Sequence, residues 1–357
     1  MRIGIITFHC AHNYGAMLQC FALQESLRSM GHDVFVIDYR PEVLTKGYVM
    51  HSVHHWLSPN PLRLVKRLCT EPFKFRMREL RWNAFNNFMQ QRLNLYSFNP
   101  SSNFKDFDLM LFGSDQIWNK HLTEGIWDTT YLGQGFDCPK ASYAASMGAA
   151  KLDEESQKLL STCLSGFKAV SVRETSLKIA LQPLLSKEVK VVCDPVLLLS
   201  KDFWEAQCIP VTHEKPYVLC YNLLMSKACR QQAEAIARER GWDVIEITRE
   251  VFPFRSKKKC LQHLTPIEFI SYFKEASFVV TSSFHGTAFS LLFRKNFYAI
   301  GMGTLSDRAA SLLKKVGMEE RMHEEPVQEV KPCDYETEAD EKLNLYRQES
   351  LSFLRQL

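Results

Sequence analysis

The sequence predicts an α/β protein of two parallel-sheet domains facing a central cleft, on three observations. Short apolar runs of strand length alternate with helical segments along most of the chain. Its 357 residues suit two domains better than one. A composition 46% hydrophobic and 24% charged supplies apolar side chains for two cores.

The elements follow in order. Arg2 to Thr7 reads as a buried strand, Phe8 to Gly15 as a polar loop, and Ala16 to Met30 as a helix stopped by Gly31. Val34 to Asp38 is the next strand, and strand–helix–strand at this length implies a right-handed crossover and a parallel, Rossmann-like sheet. An insertion at about 50–100 breaks the pattern. There Arg63, Lys66, Arg67, Lys74, Arg76, Arg78, Arg81 and Arg92 face only Glu71 and Glu79, interleaved with Phe73, Phe75, Trp82, Phe85 and Phe88. It reads as a partly exposed helix, either a solvated face or a contact with anionic lipid through 61–95. Strands resume at Asp108 to Phe112, Ala141 to Met147, Lys168 to Val172 and Lys190 to Cys193, closing a first domain at 1–200. Pro195 to Pro216 reads as a linker. A second domain at 210–330 has strands at Tyr217 to Tyr221, Asp243 to Ile247 and Phe278 to Thr281, and a helix near Ala228 to Arg240. The Thr265-Pro266-Ile267-Glu268 run marks another helix with a capping box. A final helix within 335–357 is placed to pack back on the first domain.

Charge and cysteines exclude some classes. A net charge of +4 suits an anionic small substrate but not a dedicated nucleic-acid binder. Eleven cysteines, odd in number and without a CxxC pair, read as reduced thiols in a cytoplasmic protein without a zinc site. No apolar run reaches membrane-spanning length, so membrane contact is expected only from the surface, at the inner face.

Four loops carry candidate chemistry. His12-Asn13-Tyr14-Gly15-Ala16 opens a helix where backbone N–H groups can hold an anion, or is an ordinary turn capped by Asn13. Ser114-Asp115-Gln116-Ile117-Trp118 follows a strand and reads as a sugar grip or as helix caps. Arg173 ends a strand, where its planar fork can hold a carboxylate or phosphate, unless it pairs with Glu174. Ser282-Ser283-Phe284-His285-Gly286 joins a strand to a helix and offers an imidazole for proton transfer. Asp194, before Pro195, reads as a turn former.

At these residues the sequence resembles the polysaccharide pyruvyl transferase family. The blocks are FHCAHNYGAMLQCFALQESLRSMGHDVFVIDYRP, FDLMLFGSDQIWN, ASYAASMG, SVRETS with VVCDPVLLL, and TSSFHGTAFSLLF, in the family's order. The resemblance implies a fold similar to GT-B glycosyltransferases and phosphoenolpyruvate as donor and co-substrate, with no cofactor and no metal in the chemical step. Pyruvate ketals would form on a surface or extracellular polysaccharide or its lipid-linked precursor. It implies that His285 acts as acid or contacts phosphate and that Arg173 binds the donor's anionic groups. Asn13, Tyr14, Gly15, Ser282, Ser283 and Gly286 would complete the donor side, and Ser114, Asp115, Gln116 and Trp118 would meet the acceptor. Relatives often carry an arginine where this chain has Ser283; Arg308 and Lys295 are the candidates to supply that charge. The alternatives are a nucleotide-sugar glycosyltransferase and a non-catalytic glycan-binding or assembly protein.

Overall fold

The computed structural model describes residues 1–45, 61–99, 101–102, 104–148, 152–223, 225–248, 259–301 and 303–357, without the side chains of 61–72, 304 and 305. In the first half, β1 (Arg2–Ile6) leads into α1 (Tyr14–Ser29), β2 (Asp33–Asp38), the short α2 (Glu42–Thr45) and the long α3 (Pro61–Arg92). β3 (Leu95–Ser97), β4 (Leu109–Phe112) and β5 (Lys140–Ser142) complete a parallel sheet in the order β3-β2-β1-β4-β5. Beyond β5, α4 (Glu154–Ser165), β6 (Val170–Val172), α5 (Thr175–Leu181) and β7 (Val189–Val191) follow. The parallel β6–β7 pair joins β5 through isolated bridges at Ala141–Ala169 and Ala145–Val172. The expected strand Ala141 to Met147 is thus only three residues of ladder, because Ala144 turns the backbone at φ +47°.

The second half repeats the plan. α6 (Lys201–Gln207) precedes β8 (Tyr217–Tyr221), α7 (Lys227–Arg240), β9 (Asp243–Ile247), β10 (Cys260–Leu261) and α8 (Pro266–Glu275). β11 (Phe278–Thr281), α9 (Phe284–Leu292), β12 (Phe297–Ile300), α10 (Asp307–Val316) and β13 (Met322–His323) give the sheet β10-β9-β8-β11-β12-β13, again parallel where paired. Each sheet therefore reverses its strand order beside its first strand, between β1 and β4 and between β8 and β11. This is the Rossmann-like pair of parallel sheets that the sequence predicts.

The two halves share one core. Tyr14 of α1 stacks on Phe269 of α8, with ring centroids 4.4 Å apart. Trp204 of α6 is fully buried against Phe21 and Phe289, one from each half, and its Nε1 donates to Val196 O. The span 195–216 is accordingly no loose linker but a structured bridge. The last helix, α11 (Ala339–Arg355), returns to the first half: Cys193 N donates to Ser350 Oγ (2.9 Å) and Arg347 Nε to Leu197 O (2.6 Å). It also packs on α10, with Lys315 over the Tyr346 ring. α3 is docked by its Arg81, whose guanidinium lies over Tyr14 and Phe85 and donates to His12 O. Residues 50–60 of the expected insertion, and the side chains of Arg63, Lys66 and Arg67, lie outside the described residues. Among the described residues, no helix is long and apolar enough to cross a membrane.

Candidate active site

Strand order reverses at β1/β4 and β8/β11, and the loops leaving the carboxyl ends of these strands diverge around a cleft of about 680 Å³. Asn13 and Ala16, Asp115, Gln116 and Asn119, Ser282, Ser283 and His285, with Arg308 from α10, give it a polar side. Val43, Leu44, Leu122, Leu223 and Met322 give it an apolar one.

His285 is the second residue of α9 and only 6% exposed. One face of its ring lies against Gly15, where a Cβ would fall 2.0 Å from Nδ1; no residue larger than glycine fits beside it. Its Nε2 faces Asp194 Oδ2 at 3.7 Å, an ion-pair distance, and is buried without a hydrogen-bond partner. Gly286 serves packing: a Cβ there would meet Thr281 Oγ1 at 2.1 Å, the atom that accepts from Ser283 N.

The N-termini of α1 and α9 at the cleft differ. Asn13 Oδ1 accepts from Gly15 N and Ala16 N, so the start of α1 is already capped by its own side chain. Ser283, at the N-cap of α9, makes no side-chain cap bond. The first-turn N–H groups of α9 thus have no side-chain cap to compete with an anion.

Arg173 is placed otherwise than its residue type suggests. It is buried beneath Phe284, whose ring centroid lies 4.6 Å from the guanidinium carbon, and it is absent from the cleft lining. Nη1 donates to Asp194 Oδ2 (2.6 Å), Nε to Glu174 Oε1 (3.3 Å), and Nη2 lies 3.5 Å from Asp115 Oδ1. Burial disfavours its charge, but Glu174, Asp194 and Asp115 outweigh that and push the guanidinium above the usual arginine range. Burial likewise opposes ionisation of Asp194, yet His285 and Arg173 hold its carboxyl well below the usual carboxylate range. For Glu174 burial wins and the carboxyl is pushed up, despite Arg173. Arg173 is the hub of a buried charge cluster rather than a free fork.

Among the described residues, Arg308 is the arginine that lines the cleft. With its amide turned towards Arg308, Gln116 Oε1 accepts from Nη1 and Nη2 (both 3.2 Å). Burial and then the charge of Arg173 pull Arg308 down from the usual arginine range. Lys295 is not in the lining, and its carbonyl accepts from Tyr335. Three other candidate residues are held by packing and lie outside the cleft lining. Trp118 is fully buried, its Nε1 donating to Tyr131 O; Ser114 is fully buried, its hydroxyl donating to Ala144 O; Tyr14 sits between Phe85 and Phe269. Asp115, Gln116, Asn13, Ser282, Ser283, His285 and Arg308 do line one cleft.

The family model for polysaccharide pyruvyl transferase matches residues 13–303, a stretch that holds Asn13, Asp115, Gln116, Ser282, Ser283 and His285 of this cleft but not Arg308. The chain belongs to the polysaccharide pyruvyl transferase family. Its membership makes it a transferase-family protein with a sugar acceptor. No curated protein sequence matches this family member. Among solved structures it is similar to UDP-GlcNAc 2-epimerase from Neisseria meningitidis bound to UDP-GlcNAc (10% identity, 84% of this chain and 82% of that one, TM-score 0.43). It is also similar to the S. aureus protein MnaA with UDP (12% identity, 90% and 86%, TM-score 0.44). A third is the glycosyltransferase SsfS6 of Streptomyces sp. SF2575 (15% identity, 89% and 86%, TM-score 0.36). Sequence reasoning passed over Asp194 in this pyruvyl transferase family member. An Asp-Pro pair signals a turn, and nothing local reveals that a second carboxylate oxygen faces an arginine and a histidine.

Proposed function

We propose that the chain transfers pyruvate from phosphoenolpyruvate to two hydroxyls of a sugar, forming a ketal on a polysaccharide or its lipid-linked precursor. The observation that carries this reading is the meeting of His285, the N-terminus of α9 and Arg308 in one cleft. Such a set fits a small ligand with two anionic groups and one carbon to protonate. Arg308 and the first-turn N–H groups of α9 take the phosphate and carboxylate, and the anion restores to Arg308 the compensation that Arg173 denies it. Asp115, Gln116 and Asn119 face the acceptor hydroxyls. Arg173 braces the carboxylates around it from below Phe284.

The steps balance as follows. The His285 imidazolium delivers a proton to the methylene carbon, and C2 becomes cation-like. One sugar hydroxyl adds to C2 and returns its proton to the imidazole. The C2–O bond to phosphate breaks, and the second hydroxyl closes the ketal as its proton leaves with phosphate. Positioning and fixed charge supply the acceleration. The test is phosphate release from phosphoenolpyruvate with a panel of oligosaccharides, together with the mass of the pyruvylated product. His285→Gln is expected to lower turnover by ~10²–10⁴-fold while leaving the fold intact. Thermal protection by a nucleoside diphosphate and none by phosphoenolpyruvate, with no phosphate released, would refute the reading.

A further inference from the structure

Asp194 is a buried carboxylate that faces groups from both halves of the site, and its two oxygens do different work. Oδ1 accepts from Val196 N (3.1 Å) and shapes the turn after β7. Oδ2 is surrounded by Arg173 Nη1 (2.6 Å), Ser114 Oγ (3.4 Å) and His285 Nε2 (3.7 Å). We propose that Asp194 is a positioning residue, whose Oδ2, pinned from the first sheet, sets the orientation and tautomer of the His285 imidazole carried by the second. This rests on the reading of His285 as the proton donor.

A turn needs only Oδ1, which asparagine also provides; the second oxygen is unexplained by capping. Arg173 fixes that oxygen independently of the histidine, so it is in place before any ligand binds. The imidazole has little freedom to choose another arrangement. Gly15 lies against one face of the ring at its Nδ1 corner, and Nε2 has no hydrogen-bond partner. With the proton held on Nε2 towards Asp194, Nδ1 is left to give and take the proton of the reaction. The remaining charges around this contact are Glu174 beside Arg173, Asp115 after β4, and Arg308 on α10, and none of the three is paired with His285. Asp194 itself is outside the cleft lining, so it acts through the ring and not on substrate.

Nitrogen-15 NMR of histidine-labelled protein reads the tautomer directly, His285 being assigned by its loss in His285→Gln. In the wild-type protein at alkaline pH the ring should carry its proton on Nε2, and in Asp194→Ala that preference should be lost. Asp194→Asn should lower kcat by ~10²-fold or more with the KM for phosphoenolpyruvate within ~3-fold, the pattern of lost proton transfer rather than lost binding. A wild-type ring protonated on Nδ1, or an unchanged tautomer in Asp194→Ala, overturns the proposal. Should Asp194→Ala not fold, the tautomer of Asp194→Asn supplies the comparison with wild type, and an unchanged tautomer there overturns the proposal. A wild-type protein that releases no phosphate from phosphoenolpyruvate would remove the functional reading, while the tautomer would still show whether Asp194 governs the ring.

Discussion

Gly15 shows how much a single missing methyl carries. It lies in the first turn of α1, where alanine is normally the better helix former. The space its Cβ would take is filled by the His285 ring. Gly15→Ala should therefore leave the helix formed but drive the imidazole away from Asp194. Turnover should fall by ~10²-fold or more while the far-ultraviolet circular dichroism stays unchanged, as phosphate release on the folded variant would show. At this scale the sequence was legible where chemistry and chain position coincide: His285, Asp115, Gln116 and Asn13 follow strand ends and do line the cleft. It was illegible where orientation decides. Trp118 and Arg173 also sit at strand ends, yet one is packed into the core and the other is turned beneath Phe284.

Elements with strong local signals were the easiest to place. Thr265 Oγ1 accepts from Glu268 N and Glu268 Oε2 from Thr265 N, the capping box that the four-residue pattern announces. The span after Asp194 was misjudged, because α6 is a short helix held by the burial of Trp204 and not by its own periodicity. Composition alone could not say where α3 docks. It stacks Phe85 against His12 (5.3 Å between centroids, 12° between planes) and brings Arg81 close. Burial first, then Arg81 and Arg40, lower the His12 pKa from 6.5 to about 4. The unfolded chain thus binds a proton between pH 6.5 and 4 that the folded chain refuses. Stability is full above 6.5 and falls as pH drops towards 4, by an amount on the order of 3 kcal/mol. Urea unfolding at pH 7 and pH 4.5 should show the loss, and His12→Phe, which keeps the stacking, should show a smaller one.

Across the whole molecule, the twin sheets are not independent bodies. Residues of both halves form one continuous buried core running through Tyr14, Phe21, Trp204, Tyr221, Phe269 and Phe289. Urea should unfold them in one transition, with circular dichroism and tryptophan fluorescence coincident. Trp204→Ala should shift that shared transition by about 3–5 kcal/mol without splitting it. The hydroxyl of Ser350, clasped by the amide of Cys193 next door to Asp194, ties this unity to the order of synthesis. A ribosome must extrude α11 before the strand end bearing that aspartate gains its last support. Nascent chains ending after β13 would hold both sheets and the histidine, and still lack the support that Ser350 gives that strand end.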